Sequence, residues 1–179
     1  DADGGDTYSI GVWKTLDGGQ TWNPTGNISG QTHKVLIDPL DNNTIYVGSS
    51  SGMWKSTNAG TNWTNILPQN IKDIAIKPSQ SSTIYAASTS VFYYSNDGGN
   101  SFNTATGLPF TGGRIVIGVT PADDEYVYIL SANEDYEMQG LYRSTNSGTS
   151  FSLRYSNDDI FDQSGQAWFD LAMCVSPTD

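Results

Sequence analysis

One eight-residue pattern occurs four times in this chain of 179 residues, and its spacing limits the folds that the chain can adopt. The four copies are TLDGGQTW (15–22), STNAGTNW (56–63), SNDGGNSF (95–102) and STNSGTSF (144–151). Successive copies begin 41, 39 and 49 residues apart. An interval of about 40 residues has room for four short strands and their turns. The spacing therefore predicts a small structural unit that is repeated along the chain.

Other features recur in a fixed order between the copies. An apolar run closed by proline appears four times, as VLIDP (35–39), IAIKP (74–78), VIGVTP (116–121) and AMCVSP (172–177). A second short apolar run begins six residues after each of the first three prolines, and a third leads directly into the eight-residue pattern. Each unit thus contains strand A, a turn, strand B, a loop, strand C, the pattern and strand D. The order predicts an all-β chain, a β-propeller segment of about four four-stranded antiparallel blades, some of them partial.

The repeated pattern lies on the hairpin between strands C and D, where its residue types suit a structural role. An Asp or Asn side chain can accept hydrogen bonds from backbone N–H groups farther along the turn, and this position holds Asp17, Asn58, Asp97 and Asn146. The last residue of each copy is aromatic and is expected to bury its ring between neighbouring sheets; these residues are Trp22, Trp63, Phe102 and Phe151. The pattern therefore predicts a turn that closes a blade.

The pattern resembles the Asp-box, or bacterial neuraminidase repeat, of sialidases, xyloglucanase-type glycoside hydrolases, sortilin-type receptors and many secreted bacterial propellers. The resemblance implies that the boxes lie at the blade periphery, away from any ligand. The longer segments TIYVGSSSGMWKSTNAGTNW and LYRSTNSGTSF are similar to large exported Bacteroidetes proteins, often routed through type IX secretion. This second resemblance implies an extracellular or outer cell-surface location.

The repeat boundaries divide the chain into blade units. The expected units are approximately 1–30, 31–69, 70–108 and 109–167, with a further blade beginning at 168–179. Because the first and last units lack strands, we expect the remaining blades to come from the same chain or a neighbouring one.

Charge and hydropathy argue against a nucleic-acid partner and against a membrane-spanning helix. The formal net charge is −11 and only eight residues are Lys or Arg, whereas a nucleic-acid binder needs cations to neutralise phosphates. We find no apolar run of the roughly 20 residues that a membrane-spanning helix requires. The single cysteine, Cys174, lies within an apolar run and is expected to be a buried small hydrophobe.

Loop lengths predict which face of the propeller carries function. The interval between strands A and B is constant, whereas the B–C interval is ten residues in two units and sixteen in the third. The interval from the box aromatic to the next proline also varies, from 15 to 26 residues. All of this variation falls on the face formed by the B–C and D–A loops, and loops that vary on a fixed scaffold commonly carry binding residues.

Acidic residues and aromatic rings alternate in the loops of this face. Aromatic faces stack on sugars while carboxylates bind hydroxyl groups, so the expected ligand-binding residues are Tyr136, Asp159, Asp162 and Trp168. The alternative is that Trp168 packs beneath its own long loop.

The first loop also offers a calcium site. Asp1, Asp3 and Asp6 have the close oxygen spacing that calcium prefers, although the downstream Glu of a complete EF-hand loop is missing. The alternative is a solvated Asp- and Gly-rich turn. Asp158, Asp159 and Asp162 form a weaker second candidate.

Two functions remain open at this stage. The first is a secreted or cell-surface propeller that acts as a non-catalytic binding scaffold for a protein or a glycan. The alternative is part of a xyloglucanase-like inverting glycoside hydrolase, which needs two carboxylates about 6.5–9.5 Å apart. No motif singles out such a pair, so no catalytic residue is assigned, and lone His33 is interpreted as structural or solvent-facing.

Overall fold

The computed structural model describes residues 11–109, 111–158, 160–161 and 165–178, which form four antiparallel sheets and one short helix. Sheet I contains β1 (Trp13–Lys14) and β2 (Asn23–Pro24). Sheet II contains β3 (Thr32–Ile37), β4 (Ile45–Ser49), β5 (Gly52–Ser56) and β6 (Thr64–Leu67). Sheet III contains β7 (Asp73–Lys77), β8 (Gln80–Ala87), β9 (Phe92–Ser95) and β10 (Asn103–Thr104). Sheet IV contains β11 (Arg114–Val119), β12 (Val127–Ala132), β13 (Met138–Ser144) and β14 (Ser152–Tyr155), and is followed by α1 (Ala167–Asp170).

The strands of sheets II, III and IV pair in chain order, each with the next, in an antiparallel manner. The first strands of these sheets, β3, β7 and β11, lie beside one another in that order. Small sheets that present their first strands to a common axis are the blades of a β-propeller. The prediction of an all-β propeller segment is therefore confirmed. No helix in the described ranges is long and apolar enough to cross a membrane.

Apolar side chains fill the spaces between adjacent sheets. Tyr46 and Met53 of sheet II pack with Ile74 and Ile84 of sheet III. A second cluster joins sheet III to sheet IV. Every residue of β4 and β7 is buried, because a neighbouring sheet covers each face of these strands. Stacking between sheets thus supplies the core.

The four C–D hairpins share one set of hydrogen bonds. The hydroxyl group of the first pattern residue donates to the side chain of the Asp or Asn two residues later, at 2.7–3.0 Å. That side chain accepts the backbone N–H four residues beyond it, at 2.8–3.0 Å. The hydroxyl group of the first pattern residue also accepts a hydrogen bond from the backbone N–H of the glycine at the fifth position of the pattern. The hairpin therefore satisfies its backbone groups with its own side chains.

The aromatic residues that end the second, third and fourth patterns pack against the preceding sheet. The indole N–H of Trp63 donates to the carbonyl oxygen of Thr25, at 2.5 Å. Phe102 packs into the cluster between sheets II and III, and Phe151 into that between sheets III and IV. Trp22 differs, because it is 56% exposed and donates to Gly19 of its own turn. The expectation of an enclosed ring does not hold for Trp22, since no described sheet precedes sheet I.

Lysine side chains connect the hairpin ends of adjacent sheets. Lys14 donates to the carbonyl oxygen of Ala59 at 3.0 Å, and Lys55 donates to that of Gly98 at 2.7 Å. Between sheets III and IV the connection comes from strand A instead, where buried Lys77 contacts Glu125 Oε1 at 2.6 Å and Ser147 Oγ at 2.7 Å. Each lysine thus adds a polar link beside the apolar packing.

The strand A predicted at 172–177 is not formed. This segment follows α1 and lies against β11, where the hydroxyl group of Thr120 donates to the carbonyl oxygen of Ser176 at 2.5 Å. A strand needs a hydrogen-bonded neighbour within its own sheet, and the described residues provide none. For the same reason one side of the segment is uncovered, so Cys174 is exposed and its predicted burial is wrong.

Candidate functional site

A groove of about 510 Å³ opens on the face formed by the B–C and D–A loops. The C–D hairpins lie at the opposite ends of the strands. The groove is lined by three basic residues, two aromatic residues and four small or polar ones: His33, Lys72, Arg114, Tyr136, Trp168, Gln31, Thr32, Thr89 and Gly113. The face with variable loops therefore contains a substantial concave surface.

The basic residues occupy matching positions in three successive repeats. His33 and Lys72 each lie six residues before the proline that closes strand A, and Arg114 lies seven before it. They are at or beside the starts of β3, β7 and β11, which meet near the propeller axis. In β3 the register shifts between Thr32 and Lys34, so His33 is the bulged residue. A bulge redirects a side chain locally, and His33 reaches the groove from it.

His33 and Lys72 contact each other directly, since Lys72 Nζ lies 3.1 Å from His33 Nε2. Burial and the neighbouring Lys72 charge lower the pKa of His33. Burial, with a smaller effect of Arg114, also lowers the pKa of Lys72. The shift favours the uncharged imidazole, whose Nε2, when unprotonated, can accept a hydrogen bond from the ammonium group of Lys72. The two side chains form a half-buried cluster, and neither pairs with a carboxylate of the residues that the structure describes.

Arg114 holds α1 in place at the edge of the groove. Its Nη1 donates to the carbonyl oxygens of Trp168 and Phe169, at 2.7 and 3.1 Å. These two residues belong to α1, so the guanidinium group fixes the helix that carries the Trp168 ring. The remaining guanidinium N–H groups make no hydrogen bond to any described residue.

Asp73 lies behind the basic residues, but its carboxylate is already occupied. It is 7% exposed and accepts the backbone N–H groups of Ile74 at 3.0 Å and Ile117 at 2.9 Å. It also forms an ion pair with Lys34 at 3.2 Å. Asp73 thus ties β3, β7 and β11 together and neutralises Lys34. A second cavity of about 280 Å³ contains Asp73 and shares His33, Lys72 and Arg114 with the groove.

The structure brings two of the sequence-predicted ligand residues together. Tyr136 and Trp168 line the same groove, and their side chains are 39% and 56% exposed. Tyr136 has a φ of 60°, an uncommon conformation for an aromatic residue. Hydrogen bonds within the loop hold it, because Asn133 O accepts the Tyr136 N–H at 3.0 Å and Tyr136 O accepts the Ala167 N–H at 3.1 Å. The loop and α1 therefore present both rings from a fixed backbone.

Among the remaining candidate binding and metal residues, the structure describes only Asp158. Asp1, Asp3, Asp6, Asp159 and Asp162 lie outside the described residues. Asp158 accepts a hydrogen bond from the Tyr155 hydroxyl group at 2.5 Å and does not line the groove. Within the described ranges, no group of three His, Cys, Asp or Glu residues is arranged to hold a metal ion.

Sequence reasoning missed the basic residues of the groove. His33 was interpreted as structural or solvent-facing because no ligand motif surrounds it in the sequence. The available signal was its register, since counting back from the closing prolines aligns His33, Lys72 and Arg114. Residues far apart in the sequence but equivalent in successive repeats meet at one end of a propeller.

Comparison with known proteins gives the same architecture. No family model matches the chain. It is 32% identical to the xyloglucanase Xgh74A of Acetivibrio thermocellus over an alignment of 66 residues, which covers 31% of the chain. The chain spans only 8% of that relative's length.

Two solved structures resemble most of the chain. A crystal structure of an ancestral GH74 enzyme matches 83% of it, with a TM-score of 0.69 and 24% identity. The GH74 enzyme of Niastella koreensis matches 80%, with a TM-score of 0.64 and 22% identity. The chain corresponds to 22% and 26% of these two proteins. At this level of identity the likeness shows the propeller fold alone.

Proposed function

We propose that this chain is part of a secreted or cell-surface β-propeller that acts as a non-catalytic scaffold and binds a glycan in the described groove. In this proposal the four C–D hairpins are Asp-boxes with a structural role, and the units 1–30, 31–69, 70–108 and 109–167 are successive blades. Export through type IX secretion belongs to the same proposal.

The observation that carries the proposal is the placement of Tyr136 and Trp168. Two exposed rings, one on the loop that precedes β13 and one on α1, line one groove together with hydroxyl, amide and cationic donors. Ligand sites combine apolar or aromatic surfaces with a few placed polar groups. A sugar offers the complementary pattern, since one face of its ring presents C–H groups and its rim presents hydroxyl groups. Because α1 is fixed through Arg114, the Trp168 surface is preformed and costs little ordering on binding.

A propeller glycoside hydrolase is the second candidate. The printed name of the relative, a xyloglucanase, favours it. Inverting hydrolysis needs two carboxylates on opposite sides of the sugar. No Asp or Glu is among the described residues that line the groove, and Asp73 behind it is engaged by Lys34 and two backbone N–H groups. Binding without catalysis therefore fits the groove better.

A glycan array with the full-length protein, followed by calorimetry on the best oligosaccharide, tests the binding proposal. We expect Trp168→Ala to weaken binding by about tenfold or more, because an aromatic contact at a binding site contributes about 1–3 kcal/mol. Trp22→Ala is the matched control, since Trp22 is also 56% exposed but lies away from the groove. Equal effects of the two substitutions would contradict the proposed site.

A reducing-sugar assay on the same preparation separates the two candidates. The scaffold proposal predicts no release of reducing ends from polysaccharides that bind. Release that is abolished by Asp159→Ala, while binding persists, would establish the hydrolase instead.

A further inference from the structure

The basic side chains of this acidic protein are unevenly distributed. The chain has a net charge of −11, with eight Lys or Arg residues and one His. Three of these side chains, His33, Lys72 and Arg114, nevertheless line one groove. The two ion pairs found among the described residues involve Lys34 and Lys77, so neither neutralises this cluster. The positive charges of Lys72 and Arg114 therefore lie together without a paired carboxylate among the described residues, and a bound anion would relieve their repulsion.

The cluster has donors available for such an anion. The ammonium group of Lys72 has three N–H bonds, and the contact with His33 uses one of them. Arg114 uses Nη1 for the backbone of α1 and makes no other hydrogen bond to described residues. The buried carboxylate of Asp73 lines the adjoining cavity, but Lys34 and two backbone N–H groups already occupy it. The groove therefore offers cationic N–H groups that no described residue occupies, at half-buried positions where charge-assisted hydrogen bonds are strong.

We propose that the groove selects a glycan that carries carboxylate groups, such as a uronic-acid oligosaccharide. This inference rests on the proposed function and names its ligand class. The carboxylate accepts hydrogen bonds from Lys72 and Arg114, while the sugar rings stack on Trp168 and Tyr136.

Two features favour an acidic glycan over other anionic polymers. A densely charged nucleic acid would be repelled by the net charge of −11, whereas one carboxylate interacts mainly with the local cluster. The exposed rings that flank the cations provide stacking surfaces for saccharide rings, which an acidic peptide would leave unused. The volume of about 510 Å³ lies within the range of pockets that enclose small ligands.

The test compares tetragalacturonate with its fully methyl-esterified form, which has the same sugar backbone without charge. Calorimetry with the full-length protein should show that the acid binds at least about tenfold more tightly than the ester, with an affinity that falls as salt is raised. Lys72→Gln should weaken binding of the acid more than binding of the ester and so remove most of this preference. Arg154→Gln is the matched control, because it removes one positive charge from an exposed residue that does not line the groove.

Each result has a distinct meaning. Equal affinity for the acid and the ester would overturn carboxylate selection and leave the glycan-binding proposal standing. Absence of binding by both would overturn this inference, whereas the proposed glycan function fails only if no oligosaccharide of the glycan array binds. An oligoglutamate peptide of equal charge that binds as tightly as tetragalacturonate would show a peptide site. An unchanged preference in Lys72→Gln, with an unchanged thermal transition, would remove Lys72 from the site.

Discussion

Replacing Phe151 by Ala tests whether packing between sheets stabilises this chain. Phe151 is 8% exposed, and its ring lies 5.1 Å from that of Phe92 at an interplanar angle of 76°. Removing the buried ring loses about 2–3 kcal/mol of transfer free energy and about 0.5–1.5 kcal/mol of aromatic pairing. With the cavity that remains, we expect the free energy of unfolding to fall by about 3–5 kcal/mol. For a chain of this size, the melting temperature should fall by roughly 10 °C.

Trp22 provides the control for this substitution. It occupies the same position in the first copy of the repeated pattern but is 56% exposed. Trp22→Ala should therefore change the free energy of unfolding by no more than about 1 kcal/mol. Urea denaturation followed by circular dichroism measures both variants, and a constant slope would show that the unfolding transition itself is unchanged. Similar losses for Phe151→Ala and Trp22→Ala would refute the argument that the preceding sheet supplies the stabilising contact.

Three further substitutions probe the polar and backbone features of the fold. Lys77→Met should lower the free energy of unfolding by about 1–2 kcal/mol, because the buried ammonium donates to two groups of the next sheet, and urea denaturation would measure the loss. Gly107→Ala should lower the free energy of unfolding by at least about 2 kcal/mol more than Gly18→Ala does in the same assay. Both glycines have a positive φ, but of the two only Gly107 lies where an added Cβ would overlap a carbonyl oxygen. Hydrogen bonds, first from the hydroxyl and then from the backbone N–H of Ser101, lower the pKa of Asp97 from 3.8 to about 2. A carboxylate whose pKa is lower in the folded state stabilises the fold above pH 3.8, and this stabilisation is lost as the pH falls towards 2. We therefore expect the melting temperature of Asp97→Asn to fall less over this pH interval than that of the unsubstituted chain. An unchanged acid profile in Asp97→Asn would show that this carboxylate does not control acid stability.

The fold was predictable because its signals are local and repeated. Each hairpin is closed by side chains within eight residues, as the bonds among Ser95, Asp97, Gly99 and Ser101 illustrate. Short apolar runs with turn residues between them define strands without reference to distant parts of the chain. The segment 172–177 shows where this reasoning fails, because an apolar run becomes a strand only if a partner strand is present.

The candidate site was predictable only in part. Tyr136 and Trp168 were identified from their place in loops of variable length, and the structure places both in one groove. The sequence gives no sign that Arg114 fixes α1, because the bond joins residues more than 50 positions apart. Trp22 and Phe151 likewise occupy equivalent positions in the repeat, and only the presence of a packed neighbouring sheet makes one exposed and the other buried.

The sequence by itself determined the blade, since the spacing of the four patterns and the chemistry of each turn operate over distances shorter than one repeat. The tertiary structure alone decided the groove, because stacking the blades brings His33, Lys72 and Arg114 from three repeats to one end of neighbouring strands. The physical reason is that hydrogen bonds within a turn depend on local order along the chain. The meeting of like charges and rings depends on how the apolar faces of separate sheets pack around an axis.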